Sequence, residues 1–240
     1  MPDWSSYFSH AEGAPISIAL DLEAAAHAPI ADKPVAYELA IALRNPSGNG
    51  MTQPDEYPIL VDIEDALDRT LPEEGFLQVG RVTGRGLRTL HYYGPRDAPF
   101  VPIVDAAMRR YPKYTYKCIA AEDPTWKVYA NVLYPDANQL EFARDMKQLQ
   151  SLKDAGDHFD VARDIEHRIT FPGAVQAQAF ASTVADRDFI VRIDTASNEV
   201  AALKHATIDP FAITAVRTQL TTLAGEFAGH YEGWSSEIQL

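Results

Sequence analysis

Alternating apolar and polar residues mark several short strands in the first half of the chain. Residues 16–22 and 35–43 both repeat with a period of two, which is typical of strands that bury one face. Residues 55–71 instead place apolar side chains three and four positions apart, as an amphipathic helix does. From residue 35 the pattern predicts the order strand, helix, strand, strand, helix, strand, over residues 35–43, 55–71, 75–82, 87–93, 101–110 and 113–120.

The same order of elements recurs in the second half. A predicted connecting helix over residues 138–155 is followed by a strand, a helix, two strands, a helix and a last strand, ending near residue 238. This βαββαβ order is typical of ferredoxin-like folds, in which two helices cover one face of an antiparallel sheet. The sequence therefore predicts an α+β protein with two domains, residues 1–134 and 135–240, each built on a ferredoxin-like core.

Composition narrows the classes of function. Twenty-one Lys and Arg residues against 34 Asp and Glu give a formal net charge of -13, which disfavours direct binding to nucleic acids or anionic membranes. No apolar run approaches the length of a membrane span. Because the first residues contain neither a basic region nor a long apolar run, we expect no secretory signal. The single cysteine indicates a reducing compartment, so we expect a cytoplasmic location.

Cys118 is the single cysteine, so the chain can form neither an internal disulfide nor a multi-cysteine metal site. Its strand pattern favours a packed structural thiol over a nucleophile, which would need a neighbouring base. The sequence also lacks a phosphate-binding glycine loop, a zinc-protease helix and a nucleophile elbow. The common catalytic signatures are therefore missing, and no motif in the sequence indicates a cofactor.

Residues 157–167 carry the densest group of polar residues. Its histidines and carboxylates His158, Asp160, Glu166 and His167 offer an alternative interpretation, a metal-dependent hydrolase in which the cation activates water. In a strand, however, Glu166 and His167 point to opposite faces. A second cluster consists of the aromatic residues Trp126, Tyr129 and Tyr134 in a predicted strand. We expect these side chains to pack between the two domains. The alternative interpretation is that they line a pocket at the domain interface and that the protein is a small-ligand sensor.

Two known families resemble these regions. The segments Ile165-Glu166-His167-Arg168-Ile169 and Tyr231-Glu232-Gly233-Trp234, after a helix ending in Ala155-Gly156-Asp157, resemble the Regulator of ribonuclease activity B family. The N-terminal part is similar to domain-of-unknown-function family 695 through four segments: Ile63-Glu64-Asp65-Ala66-Leu67, Tyr111-Pro112, Asp123-Pro124-Thr125-Trp126 and Leu133-Tyr134-Pro135.

The first resemblance implies a ferredoxin-like domain and a non-enzymatic regulator that binds the non-catalytic scaffold region of ribonuclease E. An acidic surface suits such an arginine-rich partner, because complementary charge speeds encounter and fixes orientation. The sequence does not determine an oligomeric state. The expected partner-binding residues are four acidic side chains and two aromatic anchors: Asp157, Asp160, Asp164, Glu166, Tyr231 and Trp234.

Overall fold

The chain folds around two separate antiparallel sheets, so the predicted α+β class is confirmed. The computed structural model describes residues 2–240. It contains two units, one ending at Ala143 and the other beginning at Arg144. The domain boundary between residues 134 and 135 remains a prediction.

The N-terminal unit holds a six-stranded sheet with the order β1-β2-β4-β5-β3-β6. The last four of these strands and the two helices follow the predicted βαββαβ order, and the hairpin β1–β2 extends the sheet beside β4. The bounds are β1 Trp4–Ala11, β2 Ala14–Asp21, β3 Val35–Ala42, α1 Tyr57–Asp68, β4 Leu77–Gly84, β5 Leu87–Gly94, α2 Phe100–Met108 and β6 Tyr116–Glu122.

One face of this sheet packs against α1 and α2. The alternate residues Tyr37, Leu39 and Ile41 of β3 join Leu60 of α1 and Val104 of α2 in a single apolar core. The period of two in the sequence of β3 thus fixes which residues face the helices. Residues of the other parity, including Glu38, lie on the opposite face.

The structure corrects the predicted strand over residues 126–132. The chain there forms a helical segment instead, with a π-helix over Tyr129–Leu133. Both carboxylate oxygens of Asp123 accept hydrogen bonds, from the N–H groups of Lys127 and Val128, each at 2.9 Å. Asp123 therefore caps the start of this segment, and side-chain capping outweighs the weak alternation that suggested a strand.

The indole of Trp126 is an interior group of the N-terminal unit. Its ring stacks on Tyr93 with centroids 4.0 Å apart, and its Nε1 donates to the carbonyl oxygen of Lys33 at 3.0 Å. Trp126 also has a positive φ of 56°, which the burial of a large aromatic side chain compensates. With only 1% of its surface exposed, Trp126 has no face free to stack on a ligand.

The C-terminal unit holds a four-stranded sheet with the order β10-β7-β9-β8. This order is consistent with the ferredoxin-like prediction, because each helix connects strands that have one strand between them. The bounds are α3 Ala137–Asp154, which begins in the N-terminal unit, β7 Arg163–Thr170, α4 Ala174–Ala185, β8 Ile190–Asp194, β9 Glu199–Ala206, α5 Pro210–Glu226 and β10 His230–Ser236.

Helices α4 and α5 cover one face of this sheet, with Phe180 and Leu220 packed on Ile169 and Val200. The end of α3 adds Leu149 to a second apolar cluster of the same unit, so α3 is part of its core as well as a connector. Within residues 2–240, none of the helices is long and apolar enough to cross a membrane.

Gly229 lets the segment that follows α5 pass close to the ring of Phe171. A Cβ placed on Gly229 would lie 2.3 Å from the Phe171 ring, whereas a Cβ on Gly225 meets nothing within 4 Å. Gly229→Ala should therefore lower the free energy of unfolding by about 1–3 kcal/mol, because the ring must move in a packed core. Denaturant unfolding followed by circular dichroism measures this change.

Gly225→Ala is the matched control, since it lies within α5. It should raise the free energy of unfolding by up to about 1 kcal/mol through helix propensity. Equal effects of the two substitutions would contradict the assigned contact.

Candidate partner-binding face of the C-terminal unit

Strand β7 presents two chemically different faces. Its inward residues are buried, and its outward residues are polar and exposed or half-buried. This alternation places Asp164 and Glu166 together on the face of the sheet opposite α4 and α5, as the sequence predicted for a strand. The inward residues are Arg163, Ile165, His167 and Ile169.

Asp164 and Glu166 line an open cavity of about 710 Å³ on this outward face. The strand register sets Asp164 opposite His205 of β9, and His205 Nδ1 lies 2.9 Å from Asp164 Oδ1. Glu237 and Arg192 also line the cavity. The result is a wide polar cavity lined by three carboxylates and three basic side chains, since Arg163 at the start of β7 also borders it. Such a lining suits a charged polypeptide segment better than an apolar small molecule.

Asp157 lies inside the unit and not on this surface. Its side chain has 0% of its area exposed, and it accepts hydrogen bonds from Arg163 Nη1 and from the backbone N–H of Gln239. Burial opposes ionisation of Asp157, but these hydrogen bonds outweigh it and lower the pKa of the carboxyl below its ordinary value. Asp157 therefore holds structure together and is not accessible to a partner.

Arg163 is the centre of this arrangement. Besides pairing with Asp157, its guanidinium donates to the carbonyl oxygens of His158, of Val161 at 3.2 Å and of Glu237 at 3.0 Å. Arg163 thereby connects the loop after α3 with the segment that follows β10. His158 and Asp160, on the same loop, are both exposed.

Tyr231 and Trp234, the expected aromatic anchors, are also interior groups. They expose 9% and 4% of their surfaces, on the inward side of β10. The Tyr231 hydroxyl lies 2.7 Å from His167 Nδ1, within hydrogen-bonding distance. Of the six expected partner-binding residues, the structure thus leaves Asp160, Asp164 and Glu166 accessible and brings the last two together.

A buried ion pair between Arg217 and Asp145, to which Trp234 also donates a hydrogen bond, was not foreseen from the sequence. Arg217 Nε of α5 donates to Asp145 Oδ2 of α3 at 2.7 Å, and Trp234 Nε1 donates to Asp145 Oδ1 at 3.0 Å. One sequence signal was available, because Asp145 lies four residues before the buried Leu149 and shares its helix face. This network fixes α3, α5 and β10 to one another.

The four residues of the metal hypothesis do not assemble into a site. His167 faces the core and Glu166 faces the cavity, because neighbouring residues of a strand point in opposite directions. Within residues 2–240 the structure has no cluster of three or more His, Cys, Asp or Glu side chains placed to hold a metal ion. Cys118 is half-buried, and burial followed by the nearby Asp105 raises the pKa of its thiol to about 11.

Asp157 and Asp160 differ in their surroundings although they lie three residues apart. We expect Asp157→Ala to lower the stability of the C-terminal unit by about 3 kcal/mol, because it leaves Arg163 charged and buried without its partner. Denaturant unfolding monitored by amide protection of β7 measures this loss. Asp160→Ala is the control and should change stability by less than about 0.5 kcal/mol. Similar losses for both variants would contradict the interior role of Asp157.

His167 makes the stability of the C-terminal unit depend on pH. Burial, followed by the positive charge of Lys204, lowers the pKa of His167 from 6.5 to about 4. The unfolded chain therefore binds a proton more readily than the folded chain, and stability is lost as the pH falls from about 6.5 toward 4. Between pH 7 and pH 5 the expected loss is about 2 kcal/mol.

Amide protection factors of β7 and β10, measured by hydrogen exchange at both pH values, test this loss. His167→Gln removes the titrating group and should reduce the pH dependence by most of that amount. An unchanged pH dependence in the variant would show that another group is responsible.

Comparison with known proteins identifies two regions. Residues 2–134 match the model of a family of unknown function, DUF695, and residues 143–236 match the model of Regulator of ribonuclease activity B. Both resemblances found in the sequence are thereby confirmed. No functionally curated protein matches the chain.

A solved structure similar to the chain is that of an unknown protein from Galdieria sulphuraria. It is 12% identical, and the similarity covers 85% of this chain and 98% of that chain, with a TM-score of 0.25. At this TM-score the similarity supports no conclusion about fold or function.

Proposed function

Because the chain belongs to the DUF695 family of unknown function and continues into a Regulator of ribonuclease activity B domain, we propose that it is a non-enzymatic regulator that binds a ribonuclease. The match of residues 143–236 carries this proposal. The bound partner is a basic segment of an enzyme of the ribonuclease E type. The single cysteine is consistent with a reducing compartment, so the proposed location is the cytoplasm.

The outward face of β7 is the proposed contact surface. Asp164 and Glu166 share the cavity with Glu237, so three carboxylates lie within reach of one cationic segment. Arginine side chains suit this surface, because a guanidinium forms paired hydrogen bonds with a carboxylate. Arg192 on the same surface requires the partner to place its cations in a defined register.

The net charge supports a protein partner rather than RNA. At a formal -13 the whole molecule repels a phosphate backbone, whereas it attracts an arginine-rich polypeptide from a distance. The regulator therefore acts on RNA degradation through the enzyme and not by contacting RNA. Tyr231, Trp234 and Asp157 support the surface from inside the unit.

Charge reversal on the contact surface tests the proposal. The variant Asp164→Lys/Glu166→Lys should bind the scaffold region of ribonuclease E at least tenfold more weakly than the wild type, because two attractive contacts become repulsive. Isothermal titration calorimetry at two salt concentrations measures the change. Binding by the wild type should itself weaken as salt rises.

Asp186→Lys/Glu226→Lys is the matched control. These two exposed acidic residues lie at the ends of α4 and α5, outside the cavity, and their reversal changes the net charge by the same amount. Affinity should stay within about twofold of the wild type. Equal weakening by both pairs, no binding by the wild type, or degradation of RNA by the isolated chain would refute the proposal.

A further inference from the structure

The face of the N-terminal sheet opposite α1 and α2 is only partly covered. Near Tyr93 it is buried beneath Trp126 and Tyr129. Farther along the same face, the alternate residues of β5 continue through Thr89 to Leu87, which is 42% exposed. Here the sheet forms an open cavity of about 360 Å³ whose walls include Ile16, Ile18, Val82, Leu87 and Val132.

Two polar side chains interrupt this apolar surface. Glu38 of β3 and His91 of β5 are direct cross-strand neighbours, and both line the cavity. Their closest approach, from His91 Nδ1 to Glu38 Oε1, is 3.6 Å, which is too long for a hydrogen bond. Although His91 is only 6% exposed, its Nδ1 has no hydrogen-bond partner within residues 2–240.

The unpartnered imidazole of His91 lowers the stability of the fold unless a ligand in the cavity binds to it. A buried polar atom without a hydrogen-bond partner is unfavourable, because it has lost its contacts with water and gained none in return. Burial lowers the pKa of His91 to about 4, so the imidazole is neutral at pH 7 and one ring nitrogen is a hydrogen-bond acceptor. Burial also raises the pKa of Glu38, which is stabilised as a carboxylate when a cation approaches it.

We propose that this cavity binds a small organic amine, with its ammonium group between Glu38 and His91 and its apolar body along Ile16, Val82 and Leu87. A primary ammonium has three N–H donors and a positive charge, so it satisfies the neutral imidazole and the carboxylate together. The cavity volume lies within the range of small-molecule sites, which combine apolar walls with a few convergent polar groups.

Other ligand classes fit less well. An anionic ligand meets the carboxylate of Glu38, and Arg85 at the rim is already paired with Glu12 at 2.8 Å. A metal ion has only Glu38 and His91 as protein ligands here, and no cluster of three ligating side chains occurs within residues 2–240. The site lies entirely in the N-terminal unit and is independent of the proposed ribonuclease contact.

Titration of the full chain with n-hexylamine at pH 7 tests the proposal, with n-hexanoate as the anionic counterpart of equal length. We expect n-hexylamine to bind saturably and to shift the NMR signal of the His91 ring. Hexanoate should cause no saturable shift. If hexanoate binds as tightly as the amine, or if the amine leaves the His91 signal unchanged, the proposal fails.

Glu38→Gln keeps the shape of the side chain but removes its charge. It should weaken n-hexylamine binding about tenfold or more, since one charge-assisted hydrogen bond is lost. Glu122→Gln is the matched control, because Glu122 ends β6 of the same sheet outside this cavity and should leave the affinity unchanged. A wild-type affinity in Glu38→Gln overturns the proposal.

Thr89→Trp provides a second variant that leaves both polar groups in place. Thr89 is half-buried and lines the cavity, so an indole at this position fills the space for the apolar body. The loss of n-hexylamine binding with an otherwise unchanged amide spectrum is the expected result. Undiminished binding would place the ligand elsewhere and refute the proposal.

Discussion

The C-terminal unit depends on the pairing of Arg163 with Asp157, because that pairing sets where β7 begins and how its residues face. A charged guanidinium that is 4% exposed is tolerated only when its donors are satisfied, and here one carboxylate and three backbone carbonyls accept from it. The next residue, Asp164, must then point outward. The buried charge of Arg163 and the exposed charge of Asp164 thus both follow from the local geometry at the start of β7.

The two sheets differ in the face that lies opposite their helices. In the C-terminal unit, the face opposite the helices carries charged side chains such as Asp164, Glu166 and Arg192, which stay hydrated without a partner. In the N-terminal unit, the corresponding face is apolar and is buried near Trp126 but open near Leu87. The first surface suits a charged polypeptide, whereas the second suits a ligand that brings apolar surface of its own.

Most elements were predictable because periodicity is a local property. The period of two in β3 and the helical spacing in α1 located these elements to within a few residues. The segment after Asp123 was mispredicted as a strand, since four alternating residues are a weak signal beside a carboxylate that caps two backbone N–H groups. The Asp123-Pro124 pair was the available cue, because both residues are favoured at helix starts.

The sites were less predictable than the fold, because they depend on which strands become neighbours. Strand periodicity correctly placed Glu166 and His167 on opposite faces, but it gave no sign that Asp157 meets Arg163 or that Trp234 meets Asp145. The pair Glu38 and His91 lies more than fifty residues apart in the chain and becomes adjacent only through the register of β3 with β5. Local patterns decide which side chains face outward, and sheet register decides which of them act together.

Charge of both signs on the proposed ribonuclease surface matters for specificity as well as affinity. A uniformly negative surface would attract any basic segment, since long-range attraction depends on net charge and hardly on sequence. On this proposal, Arg192, placed among Asp164, Glu166 and Glu237, repels a partner whose cations fall in the wrong register. On the same proposal, attraction from the whole molecule brings a basic partner close, and the mixed charges of the cavity determine which partner stays bound.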